Sequence, residues 1–296
     1  MVPLIGSLCY GPLGYCQMPR TWWKTLLHAH DLLDPDYPAC TDGLDHWWLD
    51  GFGIKDEEML EYVTSEKPNY LTFEKWVSET ARRKPNPVGR DSWNTLIETR
   101  IHRPSKFYSI TKDLGMEPAI DLKSAVVLNH LEDWHYFYER DFPGTQSQTG
   151  PVIPLISTMD YGRLGVCQLP RTWLKVLLEA KGKLHPDYPA CGDGLDAKVL
   201  KLLNLDRDRT VSYLKSELPS YNEFETWILS QPEVSRNRDD IQEWNNYLRN
   251  LEHVNKRREF IFQYMGLTDD GTITSAMVLN TIEDCEYAYR ALTANR

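Results

Sequence analysis

Apolar residues in the first part of the chain recur at the spacing of an amphipathic helix. Trp22, Leu26 and Leu33 belong to one stripe at i, i+3 and i+4 intervals, and Pro19 precedes it at a first-turn position, where a missing N–H costs nothing. The following segment, residues 34–43, contains two prolines and a glycine and is typical of a loop. A helix followed by a rigid loop is therefore expected here.

The rest of the first half also has helical periodicity. A short helix is predicted from Leu44 to Phe52 with Gly53 as its C-cap, and further helices are predicted from Asp56, from Phe73, around Trp93 and from Leu122 to Glu139. Pro104 is expected to interrupt the helix around Trp93, whereas Asn255 at the matching site of the second half is not. Alternation typical of strands is missing, so the predicted fold is all-α with five or six helices in each half.

The same pattern occurs twice at a constant spacing of 151 residues. Tyr10 to Lys24 match Tyr161 to Lys175, and Trp93-Asn94 match Trp244-Asn245. This predicts a helical domain over residues 1–140, a linker rich in Pro, Gly, Gln, Ser and Thr over 141–153, and a second copy over 154–296. Two copies of one domain are expected to form a pseudo-two-fold dimer within a single, monomeric chain.

Composition limits the partners that the chain can have. A net charge of −10 argues against nucleic acid, which requires a basic surface. No stretch approaches the roughly 20 apolar residues of a membrane span. The apolar segment Pro3-Leu4-Ile5 recurs as Pro154-Leu155-Ile156, so it is structural rather than a targeting signal. We therefore expect a cytoplasmic protein with reduced cysteines.

Several short motifs resemble a known family. In the second half these motifs are Leu169-Pro170-Arg171 with Lys175, Gly194-Leu195-Asp196, Leu203-x-Leu205 and Trp244-Asn245; in the first half they are Pro19-Arg20, Lys24, Gly43-Leu44-Asp45, Phe52-Gly53-Ile54 and Trp93-Asn94. Their order is similar to that in a bacterial family of small helical domains, domain-of-unknown-function family 5069. The resemblance implies a helical fold and brings no activity with it, and the tandem form and the Cys40 and Cys191 positions depart from the family.

The loop after the first helix is the strongest candidate for chemistry. It concentrates carboxylates, a phenol and a thiol, and it recurs in the second half with the same polar residue types. The candidate general bases are Asp45 and Asp196, and the candidate general acids are Tyr37 and Tyr188. The alternative is structural: Asp42 and Asp193, also candidates for substrate binding, can N-cap the following helix.

Basic residues on the first helix could anchor a substrate. Arg20 and Lys24 lie one turn apart, as do Arg171 and Lys175, and each pair could bind a carboxylate or phosphate. The alternative is an ion pair with the loop carboxylates Asp36 or Asp45. Arg20 or Arg171 is expected to contact one of the loop carboxylates, near a pocket. Trp22 and Trp173 are expected either to line that pocket or to pack in the core.

Cysteine and metal chemistry have weaker support. Cys40 and Cys191 are candidates for substrate contact, but a nucleophilic cysteine needs a base, and His28, His30 and His46 are matched by Glu179, Lys181 and Ala197. A small buried thiol is the alternative. Glu132-x-x-His135 has the spacing of helical metal ligands, with Glu74 as a further carboxylate, but the counterparts are Glu283-x-x-Glu286 and Glu225. We therefore expect no metal and no cofactor, and a solvated acidic helix face at Glu132.

Three functions are open at this point. The leading hypothesis is a cofactor-independent enzyme, a lyase, isomerase or hydrolase, with Asp/Tyr acid–base chemistry and Arg/Lys anchoring of an anionic small-molecule substrate. The alternatives are a non-catalytic tandem helical binding module and a metal-dependent oxidoreductase. A closed polar pocket with Arg20, Asp45 and Tyr37 would favour the enzyme, and an exposed apolar groove would favour the module.

The two halves are not expected to be functionally equivalent. Most histidines lie in the first half, and Trp47-Trp48 is replaced by Lys198-Val199 in the second. The loop scaffold is shared while its surroundings differ. We therefore expect one half to hold the working site and the other to support it.

Overall fold

The computed structural model describes residues 1–117, 122–145 and 150–294, and the described residues fold into helices joined by short loops. The helices of the first half are α1 (Met18–Ala29), α2 (Leu44–Phe52), α3 (Asp56–Glu66), α4 (Tyr70–Thr80), α5 (Pro87–Thr99), α6 (Pro104–Asp113) and α7 (Ala125–Tyr136), which continues into a π-helical turn over Phe137–Asp141. The helices of the second half are α8 (Leu169–Ala180), α9 (Leu195–Leu202), α10 (Arg207–Glu217), α11 (Tyr221–Ser230), α12 (Arg238–Arg249), α13 (Asn255–Met265) and α14 (Ala276–Ala294). Within these residues only isolated β-bridges occur, so the all-α prediction is confirmed.

Each helix of the first half has a counterpart about 151 residues later. The local signals explain several ends. Gly53 adopts a left-handed conformation with φ 70° and ends α2 as predicted, because glycine has no Cβ to clash there. Asp206 caps α10 by accepting the backbone N–H of Arg209 at 2.8 Å. Lys55, not Asp56, is the N-cap residue of α3.

Among the described residues, seven α-helices form in each half rather than the expected five or six. The helix expected from Phe73 begins earlier, at Tyr70, because the side chain of Asn69 caps it. The expected long helix divides into two in both halves, so the prediction of an uninterrupted helix through Asn255 is wrong. Backbone pairing explains the break better than proline does: isolated antiparallel bridges form at Ile101↔Ser124 and at Glu252↔Ser275.

The described residues group into two compact units that differ from the predicted domains. Unit 1 comprises Met1–Arg100 with Glu252–Arg296, and unit 2 comprises Ile101–Leu251. The last two helices of each half thus belong to the unit that contains the first five helices of the other half. The division expected at residues 141–153 does not separate these units, and residues 146–149 of that segment lie outside the described part. The boundary falls where α5 and α12 end, at the bridged segments.

Each unit has the same pattern of helix packing. In unit 1, α1 packs on α3 and α4, and α14 packs on α4 and α13. In unit 2, α8 packs on α10 and α11, and α7 packs on α11 and α6. Across the described ranges, no helix is long and apolar enough to cross a membrane.

Candidate functional site

Asp45, in the first turn of α2, is the buried centre of a polar cluster in unit 1. Its Oδ2 accepts hydrogen bonds from Lys24 Nζ at 2.5 Å and from the backbone N–H and hydroxyl of Thr41 at 3.0 Å each. Its Oδ1 accepts from Gln17 Nε2 at 2.8 Å and from Thr21 Oγ1 at 2.5 Å. The side chain of Asp45 has no exposed surface. Every acceptor position of this carboxylate is therefore used within the protein.

Unit 2 contains the same cluster around Asp196. Lys175 Nζ donates to Oδ2 at 2.6 Å and Thr172 Oγ1 donates to Oδ1 at 2.7 Å. Gln168 Nε2 also donates to Oδ1, at 2.9 Å, and the backbone N–H of Gly192 takes the place of Thr41. Because both units keep the cluster, it belongs to the common scaffold.

The electrostatics of the cluster do not suit a general base. Burial alone would raise the pKa of Asp45, but the charge of Lys24 and the hydrogen bonds from Lys24, Thr21 and Gln17 hold that pKa below its ordinary value. The pKa of Asp196 is lowered in the same way, with burial opposed by Lys175 and its neighbours. A carboxylate with a low pKa and almost no exposed surface is a poor proton acceptor for a substrate. The predicted catalytic roles of Asp45 and Asp196 therefore have no geometric support.

The predicted anchors Arg20 and Arg171 are held by backbone carbonyls. Arg20 Nη1 donates to the carbonyl oxygens of Pro3 and Ile5 at 2.8 and 2.9 Å, and Arg171 Nη1 does the same to Pro154 and Ile156, at 2.7 Å each. These bonds hold the segment before each first helix in place. Asp45 is bound by Lys24, which lies one turn further along α1, and the expected contact of Arg20 or Arg171 with a loop carboxylate, Asp36/Asp45 or Asp187/Asp196, stays a prediction. The ion-pair alternative is confirmed for Lys24.

The remaining loop residues lie nearer the surface. Tyr37 and Tyr188 are partly exposed, and the guanidinium carbon of Arg171 lies 5.6 Å from the centroid of the Tyr188 ring. Asp42 is exposed, and Asp193 pairs with Arg207 at 2.7 Å. Neither aspartate caps the following helix. The N-cap residues are Gly43 and Gly194, with no side-chain cap.

The thiols and tryptophans predicted at the site are not arranged for substrate chemistry. Cys40 and Cys191 are half-buried rather than buried. Burial, with the nearby carboxylates Asp45 and Asp56, raises the pKa of Cys40 to about 12, which keeps the thiol protonated. Trp22 and Trp173 are fully buried and donate to the carbonyl oxygens of Pro68 and Pro219 at 2.9 Å each, so they are core residues.

The acidic residues considered for metal binding have other partners. Glu132 accepts from Lys106 Nζ at 2.8 and 3.0 Å. Glu74 accepts from Tyr70 Oη at 2.7 Å and from the backbone N–H of Leu13, and burial raises its pKa to about 7. In the part of the chain that the structure describes, no group of three or more His, Cys, Asp or Glu residues is arranged to hold a metal ion.

Unit 1 contains a cavity lined largely by aromatic side chains. Its volume is about 400 Å³, within the range of small-ligand pockets. Loop residues before α1 and the helices α2 and α5 form its walls, and Arg83 and Lys84 lie at its edge. We call it the aromatic pocket. It is lined by Tyr15, Trp47, Trp48, Gly51, Phe52, Arg83, Lys84, Asn86, Gly89, Ser92, Trp93 and Leu96.

Hydrogen bonds hold the walls of the aromatic pocket. Trp93 Nε1 donates to the carbonyl oxygen of Cys16 at 2.9 Å, and Tyr15 Oη donates to the carbonyl oxygen of Asn86 at 3.0 Å. Trp48 is buried, and its Nε1 donates to Thr21 Oγ1 at 3.0 Å. The pocket wall is thereby joined to the Asp45 cluster, since Thr21 also bonds Asp45.

Trp47 is the least buried aromatic side chain of the pocket, with 43% of its surface exposed. The Arg100 guanidinium lies over its ring at 5.2 Å, a cation–π contact. Tryptophan is enriched at interfaces, because its large apolar ring carries a polar N–H group.

Most of this aromatic lining is replaced in the second half, where the counterpart of Leu96 is Tyr247. At the constant spacing of 151 residues, Tyr15, Trp47, Trp48 and Phe52 correspond to Val166, Lys198, Val199 and Leu203. Gly51 corresponds to Leu202, and Arg83 and Lys84 correspond to Val234 and Ser235. Trp93 alone among the aromatic residues is retained, as Trp244. The sequence signal for the pocket was the replacement of Trp47-Trp48, which marked the two halves as different.

Two further features escaped the sequence reasoning. His102 and His253 lie 151 residues apart and make matching hydrogen bonds. His102 Nε2 lies 2.8 Å from Asn129 Oδ1, and His253 Nε2 lies 2.7 Å from Asn280 Oδ1. A second cavity, of about 520 Å³, lies in unit 2 beside Arg163. Gly115, Met116, Glu117 and Leu122 are among its lining residues, and the Arg163 guanidinium is already bound to Glu225 at 3.1 Å.

We compared the chain with family models, with curated proteins and with solved structures, and none of the three comparisons gave a match. The resemblance to domain-of-unknown-function family 5069 therefore stays a prediction.

Proposed function

We propose that this protein is a non-catalytic helical binding module and that its working site is the aromatic pocket of unit 1. The ligand is a small, flat, largely apolar molecule. The observation that carries the proposal is the cavity of about 400 Å³ with Trp47 exposed at its edge. Aromatic walls provide a large apolar contact area with fixed geometry, which suits a planar ligand.

The comparison between the two halves supports this choice. Both halves keep the buried cluster of Lys24 and Asp45. This suits a structural role, because two copies of one fold need the same buried hydrogen bonds and ion pair. The pocket lining, by contrast, differs at most of its aromatic positions. Residues present in only one copy are those expected to carry a function that the other copy lacks. That the two copies form a pseudo-two-fold dimer is part of the same proposal.

The positions of the predicted catalytic residues also favour a binding module over an enzyme. The pocket lining contains no carboxylate and no histidine among the described residues. A general acid or base must lie within hydrogen-bond reach of the reacting group. Asp45 is separated from the pocket by Thr21 and Trp48.

Gly51 provides a direct test, because it lines the pocket and a Cβ atom at this position would meet nothing within 4 Å. The second half carries Leu202 at this position within a helix, so Gly51→Leu is compatible with the scaffold. Leucine should fill the cavity, whereas Gly51→Ala should leave it open. Both variants should be as stable as the wild type or more so, by about 0.5–1 kcal/mol, since glycine is unfavourable within a helix.

The experiment is equilibrium dialysis with 2-naphthol, a neutral planar probe. We expect binding to the wild-type protein and to Gly51→Ala, at least about tenfold weaker binding to Gly51→Leu, and recovery of chemically unchanged probe. Equal affinity for wild type and Gly51→Leu would place the binding outside the aromatic pocket. Failure of 2-naphthol to bind the wild type would contradict the proposal.

A further inference from the structure

The charge at the edge of the aromatic pocket is opposite to that of the whole chain. The protein has a net charge of −10, yet the lining contains two cations, Arg83 and Lys84, and no acidic residue among the described ones. The low-dielectric walls of a cavity focus the electric field of the charges that line it. A local positive edge on an acidic protein is a feature that selects anionic ligands.

Backbone carbonyl groups hold both cations in position. Lys84 Nζ donates to the carbonyl oxygens of Ser78 and Glu79 at 2.9 and 3.2 Å, in the last turn of α4. Two of its three N–H groups are used in this way, and one remains for a ligand. The contacts are to carbonyl groups, so the positive charge of Lys84 is retained.

Arg83 is oriented in a similar way. Its Nη1 donates to the carbonyl oxygen of Asp50 at 2.8 Å. Its ion pair with the Asp50 carboxylate is long, at 3.9 Å, and both side chains are more than half exposed. Such exposed pairs contribute little. The rest of the guanidinium is therefore able to bind a carboxylate or phosphate, which its planar shape fits well.

The second half again provides the comparison. Val234 and Ser235 replace both cations, and four of the five aromatic lining positions change with them, although Trp244 is kept and Lys198 takes the place of Trp47. In the first half the aromatic walls and both cations surround one cavity. This shared position indicates that they serve one ligand.

We propose that the ligand of the aromatic pocket carries an anionic group, a carboxylate, sulfonate or phosphate, which Arg83 and Lys84 bind while its planar apolar part lies against the tryptophans. This inference rests on the proposed function and adds the chemical class of the ligand. The flat part gives affinity through burial, and the anionic group gives selectivity through charge-assisted hydrogen bonds.

The test compares three probes of the same shape by isothermal titration at pH 7: naphthalene-2-carboxylate, 2-naphthol and 2-naphthylmethylamine. In the wild type we expect the carboxylate to bind about tenfold or more tightly than the neutral 2-naphthol, and the ammonium probe to bind least. Raising the salt concentration from about 0.05 to 0.5 M should weaken only the carboxylate, because salt screens the charge of partly exposed groups.

The variant Arg83→Val/Lys84→Ser installs the residues of the second half. It should bind the carboxylate no better than 2-naphthol, with the affinity for 2-naphthol unchanged. Arg82→Gln is the matched control, because Arg82 pairs with Glu58 and does not line the pocket. It removes one positive charge and should keep the preference for the carboxylate.

The possible failures differ from one another. Equal affinities of carboxylate and 2-naphthol in the wild type would overturn the anionic class and leave the proposed function intact. A carboxylate preference that persists in Arg83→Val/Lys84→Ser would remove these residues as its source. No binding of any probe would contradict the proposed function itself.

Discussion

Trp48 and Thr21 connect the aromatic pocket to the buried core of unit 1, with 3.0 Å between Trp48 Nε1 and Thr21 Oγ1. Thr21 also donates to Asp45 at 2.5 Å, so its hydroxyl serves both partners. In the second half Thr172 keeps the bond to Asp196, but Val199 replaces the tryptophan. The shared cluster therefore has an additional role in the first half, where it orients a wall of the pocket.

The first prediction concerns Thr21→Val, which keeps the shape of the side chain and removes the hydroxyl. The buried indole N–H of Trp48 loses its acceptor, so the free energy of unfolding should fall by about 1–3 kcal/mol, and 2-naphthol should bind more weakly. Thr172→Val should destabilise the protein without changing the affinity. Urea unfolding and dialysis measure both effects, and an equal change of affinity in the two variants would refute the connection.

The second prediction concerns the buried ion pair of Lys24 and Asp45. Lys24→Met leaves a carboxylate without its counter-charge in a site that excludes water, so we expect a loss of about 3–5 kcal/mol of stability. Lys175→Met should have a similar cost, because Lys175 and Asp196 are also buried. Chemical denaturation of both variants tests this. If the free energy of unfolding of either variant changed by less than about 1 kcal/mol, the ion pair would not be important for stability.

The fold follows from the sequence wherever a local signal decides it. The apolar stripe from Trp22 to Leu26 and the left-handed Gly53 depend on neighbours along the chain, and the structure forms them as expected, although α1 ends at Ala29, before Leu33. Which helices form each compact unit depends on contacts between helices that are distant along the chain. The helices α6 and α7 belong to unit 2, with α8 to α12, and apolar periodicity within a helix does not specify which helices its buried face will meet.

The candidate site was predicted less well than the fold, for a physical reason. Asp45 and Lys24 recur in the second half as Asp196 and Lys175. A catalytic site and a buried structural ion pair would both produce this recurrence. Burial distinguishes the two, and burial of a polar side chain is a tertiary property. The pocket residues Trp47 and Arg83 are visible in the sequence only as differences between the halves, and their meeting around one cavity requires α2 to approach the segment after α4.

The third prediction uses the pH dependence of stability at Glu74. Burial raises its pKa in the folded protein from an ordinary 4.5 to about 7. The folded state then binds the proton more tightly than the unfolded state, so stability is lost as the pH rises from about 4.5 to about 7. The loss at pH 8 amounts to about 3 kcal/mol.

Glu74→Gln keeps a neutral side chain and should remove this contribution. The variant should match the wild type near pH 4.5 and exceed its stability at pH 8. Glu225→Gln is the control: Glu225 is bound by Arg163, which the variant would leave unpaired, so the gain should be smaller. Urea unfolding at both pH values measures the differences. A difference between Glu74→Gln and wild type that does not change with pH would contradict the shifted pKa.

The fourth prediction concerns the reactivity of Cys40. Because the pKa of its thiol is raised to about 12, the thiolate fraction at pH 8 is on the order of 10⁻⁴. We expect iodoacetamide to alkylate Cys40 in the native protein at least about a hundredfold more slowly than a free cysteine in a peptide. Mass spectrometry of digested samples follows each site. Rapid modification of Cys40 in folded protein would restore it as a candidate nucleophile.

The measurement that tests the central claim most directly is a two-dimensional NMR spectrum of the indole N–H groups during titration with naphthalene-2-carboxylate. The chain has 10 tryptophans, and the variants Trp47→Lys and Trp93→Phe identify the signals of two pocket residues. We predict saturable shifts of the Trp47 and Trp93 signals, with the signals of Trp173 and Trp244 unchanged. Unchanged Trp47 and Trp93 signals, or shifts confined to Trp244, would contradict a working site in the aromatic pocket.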